Sequence, residues 1–232
     1  MTAIDLGSAV LAGDPFGNSI SGLFYFAPYT RKGVADFNVP NEFTFNFLYQ
    51  VPQIKSLHGP FDLIANGWQT SGIFFAQNGL PFTPTIAGDS LGLKGTAPYN
   101  VPNRITSGAC GSGVNSRRAV GYINLNCFTF PSANPDGTTV YGNAGRNSLI
   151  GPRLSDLDFS MMKNTRLSSA KDNLNLQFRA ELYNILNHSN FSPPIANRTV
   201  FTAAGAPVGT AGNITTTVTT NRQIQFGLKL IF

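Results

Sequence analysis

The sequence predicts an all-β chain, an antiparallel meander of about six long strands forming the C-terminal segment of a transmembrane β-barrel with long extracellular loops. Three observations point there. Apolar and polar side chains alternate strictly over several long stretches. Charged residues make up only 12% of the chain, about half the usual share, beside 19 Phe, 24 Gly and 15 Pro. Short and long connections also follow one another along the chain, as in barrels with tight turns on one side of a membrane and long loops on the other.

Alternation carries most weight, because side chains of a strand point to opposite faces with a period of two. Taken in order, a weak candidate lies around Ser19 to Ala27. Phe43, Phe45, Phe47, Tyr49 and Val51 then alternate with Thr44, Asn46 and Gln50. Trp68 to Asn78 is a further strand, blurred by its Ile73-Phe74-Phe75 run. In Leu154 to Thr165, Leu157, Phe159 and Met161 face away from Asp156, Asp158 and Ser160. Asn173 to Leu186 sets Leu174, Leu176, Phe178, Ala180 and Leu182 against Asn175, Gln177, Arg179, Glu181 and Tyr183. The last strand, Arg222 to Phe232, places Ile224, Phe226, Leu228, Leu230 and Phe232 on one face and Gln223, Gln225, Gly227 and Lys229 on the other; only Ile231 breaks the pattern.

A soluble β-sandwich also alternates, since its strands bury one face. Length separates the two. These runs reach the ~9–11 residues that cross a bilayer at a tilt of about 45°, whereas ordinary strands average nearer ~5–6. Asp156, Asp158, Arg179 and Glu181 give the opposite face the polarity of a wet lumen. No stretch reaches the roughly 18 apolar residues of a transmembrane helix, and mean hydropathy is −0.02, so membrane contact falls to strands.

The connections set an orientation. Only Leu167-Ser168-Ser169-Ala170-Lys171 separates two strands, whereas about 80–153 and 187–220 are long and rich in Gly, Pro, Asn, Ser and Thr. With the C-terminus in the periplasm, the long segments are external. Tyr49, Trp68 and Phe232 then fall at the periplasmic interface as an aromatic girdle, and Lys163, the charge on an outward position, snorkels there. Cys110 and Cys127, the two cysteines of the chain, lie in the first external loop, where an oxidising exterior permits a disulfide; two free thiols are the alternative.

Other motifs carry little chemistry. Gly88-Asp89-Ser90-Leu91 spells a hydrolase signature, but the serine would need a histidine base, and neither His58 nor His188 has an Asp three positions before it. His188 reads as a polar residue where a strand breaks into a loop, and His58 lies in a turn beside Gly59-Pro60. Asp156 and Asp158 share a face with Arg179, so a cross-strand Asp158–Arg179 contact is expected in place of a catalytic carboxylate pair. Asn197-Arg198-Thr199 and Asn213-Ile214-Thr215 match a glycosylation sequon that has little meaning in a bacterial outer membrane. The 16 Lys and Arg are scattered, with Arg31-Lys32 and Arg117-Arg118 the adjacent pairs, which argues against nucleic acid as a partner. No catalytic, cofactor or metal residues are expected, and no signal peptide is visible at Met1.

The order of several blocks resembles a known family. Asp36-Phe37-Asn38-Val39, Leu48-Tyr49-Gln50-Val51-Pro52, Gly67-Trp68-Gln69-Thr70-Ser71-Gly72-Ile73 and Gln77-Asn78-Gly79-Leu80-Pro81-Phe82-Thr83 are similar to successive blocks of Oar-like TonB-dependent receptors, the carboxypeptidase-regulatory-like type abundant in Acidobacteria. The second half is closer, with Gly142-Asn143-Ala144-Gly145-Arg146-Asn147-Ser148-Leu149-Ile150-Gly151-Pro152, Asp156-Leu157-Asp158-Phe159-Ser160, the run Gln177 to His188, and Arg222 to Phe232. The resemblance spans about Asp36 to the end. It implies an outer-membrane receptor that takes up a ligand with energy relayed by TonB through a plug, in a barrel of about 22 strands. Signal peptide, regulatory-like domain, TonB box and plug are not seen in residues 1–232, so the chain reads as a partial barrel, from a truncated gene or a partial sequence. Its implied partners are outer-membrane lipid, the remaining strands and plug, the TonB complex, and the barrel-assembly machinery, which would read Phe226, Leu228, Leu230 and Phe232 as a terminal signal. A passive outer-membrane barrel and a secreted β-sandwich adhesin or carbohydrate-binding module are the alternatives.

Overall fold

The computed structural model describes residues 2–4, 32–88, 100–132, 141–167 and 174–232. The weak strand expected at Ser19 to Ala27 and Asp89-Ser90-Leu91 of the hydrolase signature lie outside them. The chain divides into two compact units: a sheet unit of residues 41–77, 154–190 and 218–232, and a loop unit of residues 1–40, 78–153 and 191–217.

The sheet unit contains β1 (Glu42–Gln50), β2 (Trp68–Gln77), β3 (Leu154–Arg166), β4 (Asn175–Tyr183) and β5 (Gln223–Ile231). They lie side by side in chain order, every neighbouring pair antiparallel. The strands begin and end within a few residues of the expected limits, and the described part of the sheet holds five strands where about six were expected. Each is nine residues or longer, enough to cross a hydrocarbon layer when tilted.

One row shows how the alternation becomes a surface. Phe47 pairs with Gly72, Gly72 with Phe159, Phe159 with Leu182, and Leu182 with Ile224. Because the period is two on every strand, Phe43, Phe45, Phe74, Leu157, Met161, Phe178, Phe226 and Leu228 share this face. It is uncovered: Phe226 is 70% and Leu228 71% exposed. A β-sandwich would bury such a face beneath a second sheet. Aromatic pairs brace it, with Phe178 stacked on Phe226 at 6.2 Å and Phe43 beside Phe74 at 6.1 Å. The blurred run resolves simply, since Phe74 joins the apolar face while Ile73 and Phe75 take the other.

Connections at the two ends of the sheet differ. Between β3 and β4 the chain turns from Leu167 to Leu174, whose backbones are joined by a 3.0 Å hydrogen bond. At the same end, residues 51–67 link β1 to β2 and contain helix α1 (Pro60–Ala65). Pro60 starts it, where a missing N–H costs nothing, and Gly59 before it has φ 67°. The long segments leave from the opposite end.

Those long segments fold into a unit with its own core. Pro81–Phe82 pairs with Leu149–Ile150, Asn103–Arg104 with Phe128–Thr129, and Thr85–Ile86 runs parallel to Thr199–Phe201. Phe82, Ile86, Ile123, Leu149 and Val200 are buried at its centre. Cys110 and Cys127 are joined in a disulfide, Cα–Cα 5.2 Å, and Cys127 packs in that core. Lys32–Val34 pairs with Thr2–Ile4 in the same unit.

Candidate functional site

Apart from Lys163, the charged residues of the sheet lie on its polar face. Register places Ser160 opposite Glu181, Met162 opposite Arg179, Gln177 opposite Lys229, and Glu181 opposite Gln225. Asp156, Asp158, Arg179 and Glu181 therefore share one face, but the expected Asp158–Arg179 contact does not form. Arg179 faces Met162, four residues along β3 from Asp158, or about 13 Å at a strand's rise. The cause is the turn. Its closing pair is Leu167 with Leu174, a longer span than Leu167 to Lys171, and this moves β4 along β3.

Each charge finds another partner. Arg179 Nη1 donates to Glu181 Oε1 at 3.4 Å on its own strand, and the Tyr183 hydroxyl donates to Glu181 Oε2 at 3.1 Å. Asp158 Oδ1 accepts the backbone N–H of Asn184 at 2.9 Å, and Asp156 Oδ1 accepts that of Leu157 at 3.0 Å. Two open hollows of about 310 Å³ each lie along this face. One is lined by Asp156, Asp158, Tyr183, Asn184 and Gln223, the other by Gln177, Arg179, Glu181, Gln225 and Lys229. Acceptors dominate the first and a mixed set of charges the second.

Three asparagines finish the strands at the loop end. Asn184, with φ 48°, donates from Nδ2 to the carbonyls of His188 and Thr220 at 3.0 Å each and accepts the His188 N–H at Oδ1. Asn187, with φ 50°, accepts the Arg222 N–H at 3.2 Å. Asn tolerates this left-handed backbone better than most residues. Asn190 is fully buried and bonds both backbone groups of Ser155, at 2.8 Å each, and the Thr219 hydroxyl at 3.0 Å. His188 stands in this tight turn, its Nδ1 2.9 Å from Asn190 Oδ1. The block that carried the family resemblance here, Tyr183 to His188, ties the ends of β3, β4 and β5 together.

A second polar cluster holds the loop unit. Arg146 Nη2 meets Asp36 Oδ1 at 2.8 Å, with both side chains 4% exposed. Asn147 Nδ2 donates to the same Asp36 oxygen at 2.5 Å and to the Val34 carbonyl at 2.8 Å, while its N–H donates to Thr83 Oγ1. Arg198 joins electrostatically: burial lowers its pKa, and the charge of Asp36 opposes that shift. Nearby in the fold, Arg104 donates to the carbonyls of Ser148 and Gly111 at 2.5 and 2.8 Å. Tyr122, whose hydroxyl donates to the Ile150 carbonyl at 2.9 Å, is pushed up to about 12 by burial. The two sequon asparagines are engaged in packing: Asn197 Nδ2 donates to the Asn213 carbonyl, and Asn213 Oδ1 accepts the Gly121 N–H.

Glycines close the approach. A Cβ on Gly79 would collide with the Gly151 carbonyl, and one on Gly151 would stand 2.8 Å from Pro193 Cγ. Sequence reasoning did not identify Asp36, Arg146 or Asn147 as a cluster. Their only signal was membership in the Asp36 to Val39 and Gly142 to Pro152 blocks; nothing local shows that residues 110 positions apart meet.

At the turn end, the girdle residues Tyr49 and Trp68 lie together by register, since Tyr49 pairs with Thr70 and Trp68 with Lys163. Ile231, next to Phe232, pairs with Asn175 at that same end, and Phe232 is 95% exposed. Lys163 lies at this end as well. Its Nζ lies 4.8 Å over the Trp68 ring and donates to the carbonyls of Ile64 and Asn66 at 3.0 and 2.6 Å.

A family model described as "Outer membrane beta barrel domain" matches residues 9–225. No curated protein and no solved structure matches the chain.

Proposed function

Because the chain belongs to the outer membrane beta barrel domain family, and so to the bacterial outer membrane, we propose that it forms wall and external loops of a TonB-dependent receptor of the Oar-like type. Such a receptor takes up a scarce ligand with energy relayed from the inner membrane. The observation that carries the wall reading is the single register through five strands, which puts every long apolar row on one uncovered face and Asp156, Asp158, Arg179 and Glu181 on the other. The first meets lipid and the second lines the lumen. The loop unit, held by its disulfide and the Asp36–Arg146 pair, is the external surface that meets the ligand first.

Energised uptake is supported by the ordered blocks that resemble those of Oar-like receptors, and domains of this family are typically non-enzymatic. Partners then follow from position: lipid on the apolar face, further strands along the outer edges of β1 and β5, which have no strand beside them among the described residues, a plug in the lumen, and TonB through that plug. The barrel-assembly machinery would read Phe226, Leu228, Leu230 and Phe232 on the exposed edge strand.

The test has two stages. Refolded in detergent, the full-length gene product should migrate differently before and after boiling, and a monomer that stays soluble with detergent omitted would overturn the membrane wall. The full-length product should then bind the periplasmic domain of TonB, and deleting its TonB box should abolish binding. A gene encoding neither plug nor TonB box would make the protein a passive barrel.

A further inference from the structure

The connection from Val51 to Gly67 is built inside out for a turn in water. Its apolar side chains point outward: Phe61 is 70%, Ile64 68%, Ile54 51% and Leu63 45% exposed. Gln53, Lys55, Ser56 and His58 are exposed early in the connection, but the polar groups around α1 are tied to the protein. Asn66 Oδ1 accepts the Ile54 N–H at 2.8 Å, and Asn66 Nδ2 donates to the Ile54 carbonyl and, at 2.6 Å, to Asp62 Oδ1. The last carbonyls of a helix have no partner within it; here the Ile64 carbonyl accepts from Trp68 Nε1 at 2.8 Å and from Lys163 Nζ, which also satisfies the Asn66 carbonyl. This is the arrangement that a low-dielectric surrounding demands, where each unmade hydrogen bond is costly.

Position identifies the surrounding. Lys163 pairs with Trp68, and by the period of two both side chains leave the sheet on the face of Phe47, Phe159 and Phe226. Since Lys163 and Trp68 hold the end of α1, the helix sits at the edge of that apolar face, continuous with it. Trp and Tyr prefer the level of lipid headgroups, and an amphipathic segment with outward apolar residues lies along that boundary.

We infer that α1 is an interfacial anchor: Phe61, Ile64 and Ile54 insert into the bilayer between headgroups and acyl chains, on the leaflet bordering the turn end of the sheet. The occupant of this apolar surface is lipid. The inference rests on the reading of the sheet as a membrane wall, and the test separates the two.

Both native cysteines are paired, so one added cysteine can carry a polarity-sensitive fluorophore without disturbing Trp68. The labelled variants are Phe61→Cys, Ile64→Cys and, as a wall control, Phe226→Cys, each in the full chain refolded into phosphatidylcholine vesicles. Some vesicles carry nitroxides near the headgroups, others deep in the acyl chains. The expected result is loss of emission at 61 and 64 chiefly with shallow nitroxides, and at 226 chiefly with deep ones. Emission at 61 and 64 untouched by either lipid while 226 is quenched would mean that water or protein covers α1, overturning the anchor and leaving the wall intact. No quenching at 226 would overturn the wall and the anchor with it.

Discussion

The ring of Phe47 lies across Gly72, its cross-strand partner, so closely that a Cβ on Gly72 would stand 2.6 Å from Phe47 Cε1. A glycine within a strand leaves a gap and weakens pairing; an aromatic ring from the neighbouring strand closes it. Gly72→Ala displaces that exposed ring and sets a methyl 3.1 Å from the Asp158 carbonyl, at a cost of about 1 kcal/mol. Urea unfolding in detergent micelles measures the loss. Phe47→Leu combined with Gly72→Ala should recover part of it, because the smaller side chain makes room.

Phe226 and Gln225 are neighbours on β5 that point to opposite faces. If the apolar face meets lipid, Phe226→Arg costs about 2–4 kcal/mol near the bilayer centre, and Gln225→Arg much less. Equal losses in reversible unfolding from vesicles would show that the faces are wrongly assigned.

Asp36 and Arg146 form a buried pair inside the loop unit. Removing one partner breaks a buried ion pair, which costs about 3–5 kcal/mol. Either Asp36→Ala or Arg146→Ala should expose the loop unit to limited proteolysis, while the combined Asp36→Leu and Arg146→Met variant should resist better than either single change. Equal sensitivity of all three would remove the pair as the clamp of this unit.

Tyr122 loses stabilising effect in alkali. Burial raises its pKa from the ordinary 10.0 to about 12, so its folded state holds the proton longer than the unfolded chain. Its contribution is complete below the unfolded value and falls as pH rises from about 10 through 12. Phenolate absorbance followed with unfolding should show this residue titrating late, and Tyr122→Phe should flatten stability across that window. A phenolate appearing with the exposed tyrosines would contradict its burial.

Face assignment was legible in the sequence. Alternation with a period of two is a property of each strand alone, so Phe226 against Gln225, or Leu157 against Asp158, needs no knowledge of neighbours. The limits of the five strands and the polar character of Asp156, Asp158, Arg179 and Glu181 were readable for the same reason. His188 in its turn was legible too, since Asn184, Asn187 and Asn190 around it are residues that favour turns and left-handed backbone.

Tertiary structure decided what depends on two distant segments at once. Face parity is unchanged when one strand slides past another by two residues, so the pattern could not distinguish Arg179 beside Asp158 from Arg179 beside Met162; the length of the turn chose. Likewise, the long Gly- and Pro-rich segments carry no period, and their order comes from closure between residues such as Asp36 and Arg146, 110 positions apart. Local sequence sets which way a side chain points. Only the folded chain sets what it meets there.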